Sequence, residues 1–120
     1  EHMTTGDGQL AALQLLSILA QSGKKMSELA SAVTHYPQVL LNVRVGGNDE
    51  KKAIMESAAL KQEIEQAERA LGGSGRVLVR ASGTEPLIRV MVEAGSEQTA
   101  RETAQVLVSA VENLQKNGRI

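Results

Sequence analysis

The sequence predicts an α+β fold: a small antiparallel sheet with helices on one face, preceded by N-terminal helices. Three observations predict it. Val39, Leu41, Val43 and Val45 alternate with Leu40, Asn42 and Arg44, the period of two of a strand, and Arg76–Ala81 and Leu87–Ala94 read as two more strands joined by Ser82–Pro86. Glu50–Leu71 and the segment after Gly95-Ser96 instead carry apolar residues at helical spacing. The resulting order, β-α-β-β-α, is that of a domain whose helices cover one side of its sheet.

The opening Glu1-His2-Met3 reads as an appended junction, so the chain is expected to be a piece of something longer. Thr4-Thr5-Gly6-Asp7-Gly8 is a turn in which Asp7 can cap a helix. Leu10 to Ala20 is apolar on nearly every side, which is the pattern of a buried helix or of one cut from its packing partners. Gly23 ends it. A short helix is expected from Ser27 to Thr34, closed by Pro37, and the domain boundary is placed near Pro37. After the first strand, Gly46-Gly47-Asn48-Asp49 breaks the chain and offers a cap. One amphipathic helix is expected over Glu50–Leu71, burying Ala53, Leu60, Ile64, Ala67 and Leu71. Gly72-Gly73-Ser74-Gly75 is a flexible break. The last helix buries Ala100, Ala104, Leu107, Val111 and Leu114, and Asn117-Gly118 ends it.

Composition excludes several functions. With 13 basic and 14 acidic residues, the chain lacks the excess charge of a general nucleic-acid or membrane-surface binder. Tyr36 is the single aromatic residue, so base-stacking platforms are missing and RNA binding through the sheet is disfavoured. Without cysteine there is no disulfide, thiol nucleophile or thiolate-held metal, as suits a cytoplasmic protein. No apolar run approaches the ~18 residues of a membrane span.

The stretch that carries chemistry is Arg80-Ala81-Ser82-Gly83-Thr84-Glu85-Pro86-Leu87-Ile88-Arg89. Strand alternation turns Val77, Val79, Ile88, Val90 and Val92 toward the helices, so Arg80 and Arg89 share the opposite face and flank one loop. The loop adds two hydroxyls and a glycine open to unusual backbone angles. Its consecutive N–H groups are suited to an anion-binding nest. Guanidinium forks match phosphate oxygens bidentately, so the whole reads as a phosphate clamp. Against this stands an ordinary hairpin turn, with Glu85 neutralising Arg80 or Arg89.

Arg80 to Glu93, read as Arg-Ala-Ser-Gly-Thr-Glu-Pro-Leu-Ile-Arg-Val-Met-Val-Glu, closely resembles the phosphate-binding loop of the phosphohexomutase superfamily. Thr4–Gly8 and Tyr36–Arg44 also resemble that family, and the resemblance runs from about Thr4 to Leu114. The Gly-Thr-Glu-Pro wording and the Tyr36–Arg44 segment favour the branch that acts on a phosphorylated hexosamine over the phosphomannomutases and phosphoglucomutases. The resemblance implies an isomerase that moves phosphate between the 6- and 1-positions of a sugar. A phosphoserine donates the phosphoryl group, with magnesium held there by aspartates. A loop of the third domain reads the sugar hydroxyls. The fourth domain, TATA-box-binding-protein-like in fold, grips the phosphate that is not reacting.

On that plan residues 4–36 would be the end of the third domain with hinge helices, and residues 37–120 the C-terminal phosphate-binding domain. Carried over by position, Arg80, Ser82, Gly83, Thr84 and Arg89 are the phosphate-contacting residues. Glu85 belongs to the motif without an assigned contact. Catalytic groups and magnesium ligands would lie in upstream domains of the same polypeptide, outside this chain, so the chain is expected to bind phosphate without catalysis and to hold no cofactor. A hinge near Thr34–Pro37 would let the clamp release its ligand.

A stand-alone module that binds a phosphorylated metabolite is the competing class, and it would have to bury the helix at Leu10–Ala20. His35 is read as structural for want of partner groups. Asp7 is read as a cap, since a divalent cation needs several oxygens. Lys24-Lys25 and Lys51-Lys52 are read as solvated faces. Leu40, Leu78 and Met91 fall on the helix-free face beside the arginines, an apolar patch that would meet another domain or drive self-association.

Overall fold

The computed structural model describes residues 6–117. The expected junction at residues 1–3, Thr4-Thr5 and Gly118 lie outside the described residues. The chain divides into two compact units between His35 and Tyr36.

The first unit carries α1 (Gly8–Ser22) and α2 (Met26–Ala30). Asp7 caps α1, its Oδ1 accepting from the Gln9 and Leu10 amides at 3.0 and 2.9 Å. Gly23 closes the helix at φ 64°, a conformation that disfavours any residue with a Cβ. No residue of α1 is buried, and Leu13, Leu15, Leu16 and Ile18 are exposed. The second helix stops at Ala30, short of the expected Thr34. There the amides of Ala32 and Val33 turn to carbonyls three residues back, and the β-branched Val33 and Thr34 hold helix poorly.

The second unit runs β1 (Gln38–Arg44), α3 (Asn48–Glu56), α4 (Ala58–Leu71), β2 (Arg76–Ala81), β3 (Leu87–Glu93) and α5 (Glu97–Asn117). The three strands are ordered β1-β3-β2, and both pairings are antiparallel. The helical crossover α3–α4 thus carries the chain past the place that β3 later fills. Val39 and Val43 of β1, Val77 of β2, and Ile88, Val90 and Val92 of β3 turn inward. They meet Ile54, Leu60, Ala67 and Leu71 from the crossover and Ala100, Ala104, Leu107 and Val111 from α5. This core contains no aromatic ring; Tyr36 is 54% exposed.

The expected single helix over Glu50–Leu71 is two helices. Ser57, at φ −59° and ψ 131°, breaks it. The break has a packing cause. On a continuous helix Ile54 would lie about 120° from the Leu60–Ile64–Ala67–Leu71 stripe, and the two could not face one core. With the chain bent at Ser57, Ile54 and Leu60 are 0% and 1% exposed. The start of α3 also differs: Gly47 takes the cap position with no side-chain cap bond, while the Glu50 carboxylate reaches back to accept from the Gly46 amide. At α5, Ser96 caps the helix by accepting from the Thr99 amide at 3.1 Å.

Gly75 admits the start of β2 beside β3. A Cβ there would collide with the Glu93 carbonyl oxygen and crowd Leu71.

Candidate functional site

Period two places Gln38, Leu40, Asn42 and Arg44 of β1, Arg89, Met91 and Glu93 of β3, and Arg76, Leu78 and Arg80 of β2 on the sheet face away from the helices. Register then sorts them into rows. Gln38, Glu93 and Arg76 form one end row; Leu40, Met91 and Leu78 the middle; Asn42, Arg89 and Arg80 the other end. The first row is closed on itself: Glu93 accepts from Arg76 at 3.0 Å and from Gln38 at 3.2 Å. The third row has no such closure. Arg80 stands directly opposite Arg89, an arrangement that disfavours pairing because like charges oppose across strands.

Arg89 is partly relieved. Its guanidinium lies 3.5 Å from the Glu85 carboxylate, with its side chain 35% exposed. Its Nε is buried without a hydrogen-bond partner. Arg80 is exposed and, among the described residues, has no carboxylate partner. Of the two neutralisations weighed from sequence, Glu85 therefore serves Arg89 and leaves Arg80 open. A 160 Å³ depression runs between the two arginines and along Leu40, Leu78 and Met91 to Gln38.

The loop Ser82–Pro86 sits at the arginine end. It is held by the Ser82 amide donating to the Leu87 carbonyl at 2.9 Å and the Leu87 amide donating to Glu85 at 2.8 Å. The Val45 amide, donating to Pro86 at 2.9 Å, ties it to the end of β1. Ser82 is buried at 6% exposure, and its hydroxyl oxygen accepts the Glu85 amide at 3.3 Å. Its O–H remains available as a donor. Gly83 and Thr84 are exposed, and neither their amides nor the Thr84 hydroxyl has a hydrogen-bond partner within the described residues.

Two sequence expectations fail here. Gly83 is not in the left-handed region, which among the described residues is confined to Gly23, Gly72 and Gly73, so the alternating angles of an anion nest are absent from this loop. What Gly83 contributes is space: a Cβ at this position would meet no atom within 4 Å, and a ligand can approach its amide. Lys51 is also not part of a solvated face. It is 8% exposed, and its Nζ donates to the carbonyls of Ser82 at 2.7 Å and Glu85 at 3.1 Å. Nothing near Lys51 in sequence announces this, since its partners lie 31 and 34 residues away.

Of the five residues singled out from sequence, Arg80, Gly83 and Thr84 are exposed, Arg89 is half-buried and Ser82 is buried; the depression between the arginines is lined by Arg80 and Arg89 but not by Ser82, Gly83 or Thr84. His35 and Asp7 lie in the other unit. Among the described residues no side-chain cluster fits the magnesium that the family resemblance implies. No group of three or more His, Asp or Glu side chains converges among the described residues, and Asp7 is engaged as a helix cap. No helix among the described residues is long and apolar enough to cross a membrane.

Comparison with known proteins bears directly on this geometry. Residues 40–119 match the family described as phosphoglucomutase/phosphomannomutase, C-terminal domain, and residues 1–36 match its alpha/beta/alpha domain III. A phosphoglucosamine mutase of Lactococcus lactis subsp. lactis is 49% identical over 112 residues, 93% of this chain and 25% of the relative. One from Streptococcus gordonii is 56% identical over 98 residues, 82% of this chain and 22% of its own length. The chain thus spans about a quarter of the length of the curated relatives it matches. Among solved structures, Aspergillus fumigatus N-acetylphosphoglucosamine mutase in complex with GlcNAc-6P and magnesium superposes with a TM-score of 0.69 at 28% identity. That match covers 87% of this chain and 20% of the other.

Proposed function

This chain belongs to the phosphoglucomutase/phosphomannomutase family, and we propose that it is the C-terminal part of a phosphoglucosamine mutase whose final domain grips the non-reacting phosphate of a phosphorylated hexosamine. The observation that carries this reading is the opposed pair Arg80 and Arg89 beside a loop whose Gly83 and Thr84 amides are unpartnered. Two like charges on adjacent strands, with the nearby Glu85 carboxylate paired to Arg89 alone, are an electrostatic cost that a bound dianion reverses. Names of the relatives supply the sugar: the curated ones are phosphoglucosamine mutases.

On this reading residues 4–36 are the end of the third domain with its hinge helices, and residues 37–120 are the phosphate-binding domain. The whole protein is a cytoplasmic isomerase, and the chain alone binds without turning substrate over. Phosphoryl transfer depends mostly on positioning and electrostatic stabilisation, so a remote phosphate grip contributes by orienting the reacting end. Asn42, in line with both arginines, is placed to complete the same row. That no residue of α1 is buried favours this reading over a stand-alone module, which would bury so apolar a helix.

An amide NMR titration tests it. Inorganic phosphate and then glucosamine 6-phosphate, in sulfate-free buffer, are expected to shift Ser82–Glu85, Arg80 and Arg89. A neutral sugar should shift none of them. Affinity near 1 mM, about 4 kcal/mol, is the scale expected of one clamp without its other domains. Shifts spread over other surfaces, or none at the loop, would overturn phosphate binding by this chain.

A further inference from the structure

We propose that Lys51, which no sequence pattern distinguishes, is a positioning residue of the anion site: by holding the Ser82 carbonyl inward it aims the Gly83 N–H outward at the ligand. The inference rests on the phosphate-binding reading and adds to it the device that orients the loop.

The Lys51 Nζ lies 2.7 Å from the Ser82 carbonyl oxygen and 3.1 Å from that of Glu85. Ser82 C=O and Gly83 N–H belong to one peptide group. No peptide bond in the described chain is cis, and in a planar trans peptide the C=O and N–H vectors point in opposite directions. A carbonyl drawn toward α3 therefore fixes the next N–H pointing away from it. Gly83 is exposed and has no partner for that N–H, and the absent side chain leaves its surroundings open. A cation on the carbonyl also polarises the peptide and makes its N–H a stronger donor.

Lys51 is an unusual group to find in this place. It is 8% exposed, and no carboxylate among the described residues pairs with it. A buried ammonium held only by carbonyl dipoles is costly, and a shorter or apolar side chain would fill the volume at lower cost. Its position beneath the loop gives that cost a return, because an anion bound at Gly83 and Thr84 would face a third cationic group behind Arg80 and Arg89. Lys51 would not touch the ligand. It acts through the peptide between them.

The test uses the 15N-labelled 120-residue chain with inorganic phosphate as probe. Lys51→Met keeps length and apolar volume while removing the donors. Its phosphate Kd is expected to rise about tenfold or more, the scale of one hydrogen bond to a charged ligand, and the Gly83 amide should lose its response to phosphate. Arg80→Ala, read in parallel, separates the two readings. If Arg80→Ala weakens binding and Lys51→Met lowers only the Tm, Lys51 is merely structural and the inference is overturned while the site stands. If neither variant changes the Kd, the phosphate site itself is misplaced and the inference falls with it. If the wild type does not respond to phosphate at the loop, the phosphate-binding reading fails and the inference that rests on it is overturned. Should Lys51→Met fail to fold, residual dipolar couplings on the wild type give the Gly83 N–H direction, and a bond vector aimed toward α3 overturns it.

Discussion

Arg80 and Arg89 carry the same charge and oppose each other, yet their surroundings differ. Arg80 is exposed and unpaired, so Arg80→Ala should leave the Tm nearly unchanged while weakening sugar-phosphate binding by on the order of 1.5–3 kcal/mol; calorimetric titration beside a thermal melt checks both. Arg89 is tethered to Glu85 at 3.5 Å. A partly exposed pair of this kind contributes about 0–1 kcal/mol to stability. Glu85→Gln should therefore tighten anion binding by releasing Arg89, and the gain should shrink as ionic strength rises; Kd measured at several salt concentrations shows whether it does. Both arginines were legible in the sequence because a period of two fixes which face a residue takes, whatever the strand order. Lys51 was not, because a lysine's burial here depends on carbonyls supplied by a loop 31 residues on. The unusual backbone angle expected of Gly83 fails for a related reason: glycine in a sequence signals either a special backbone angle or free space, and only the fold separates the two.

At the scale of elements, strands and helices were largely readable, and the main miss is instructive. A stripe with a gap between Ala53 and Leu60 was read as one helix, but Ile54 is the residue that is fully buried in α3. The bend at Ser57 reconciles two faces that one axis could not. Ile54→Ala should thus cost about 2–5 kcal/mol, the range for emptying a packed aliphatic site, as read by urea denaturation. Since Lys51 lies one turn earlier on the same helix face, the same substitution should also loosen the Ser82–Pro86 loop. Faster amide exchange at Glu85 and Leu87, whose N–H groups are bonded within it, is the expected sign.

For the molecule as a whole, the fold class followed from the order of periodicities. The strand order did not, because periodicity says nothing of whether β2 lands beside β1 or leaves room for β3 between them. Putting all three helices of the second unit on one side leaves the other side with Leu40 and Leu78 at 55% and 44% exposure. Together with the bare leucines of α1, this much apolar surface should make the chain associate as concentration rises. Sedimentation velocity over a concentration series is the check, and Leu40→Ser with Leu78→Ser should reduce the association if the sheet face contributes.

The ladder between β1 and β3 is fastened at both ends. The Ala94 amide donates to Pro37 at 3.1 Å beside the boundary of the two units, and the Val45 amide donates to Pro86 at 2.9 Å at the Ser82–Pro86 loop. Between them lie seven paired positions, roughly 20 Å of strand. Such a ribbon is a lever arm: a swing of about ten degrees with its fulcrum at Pro37 would sweep Ser82–Pro86 through roughly 4 Å at that strand length. That travel is as long as the contacts a phosphate makes, so on the proposed reading a small rotation at the fulcrum would be enough to make or break the whole grip at once.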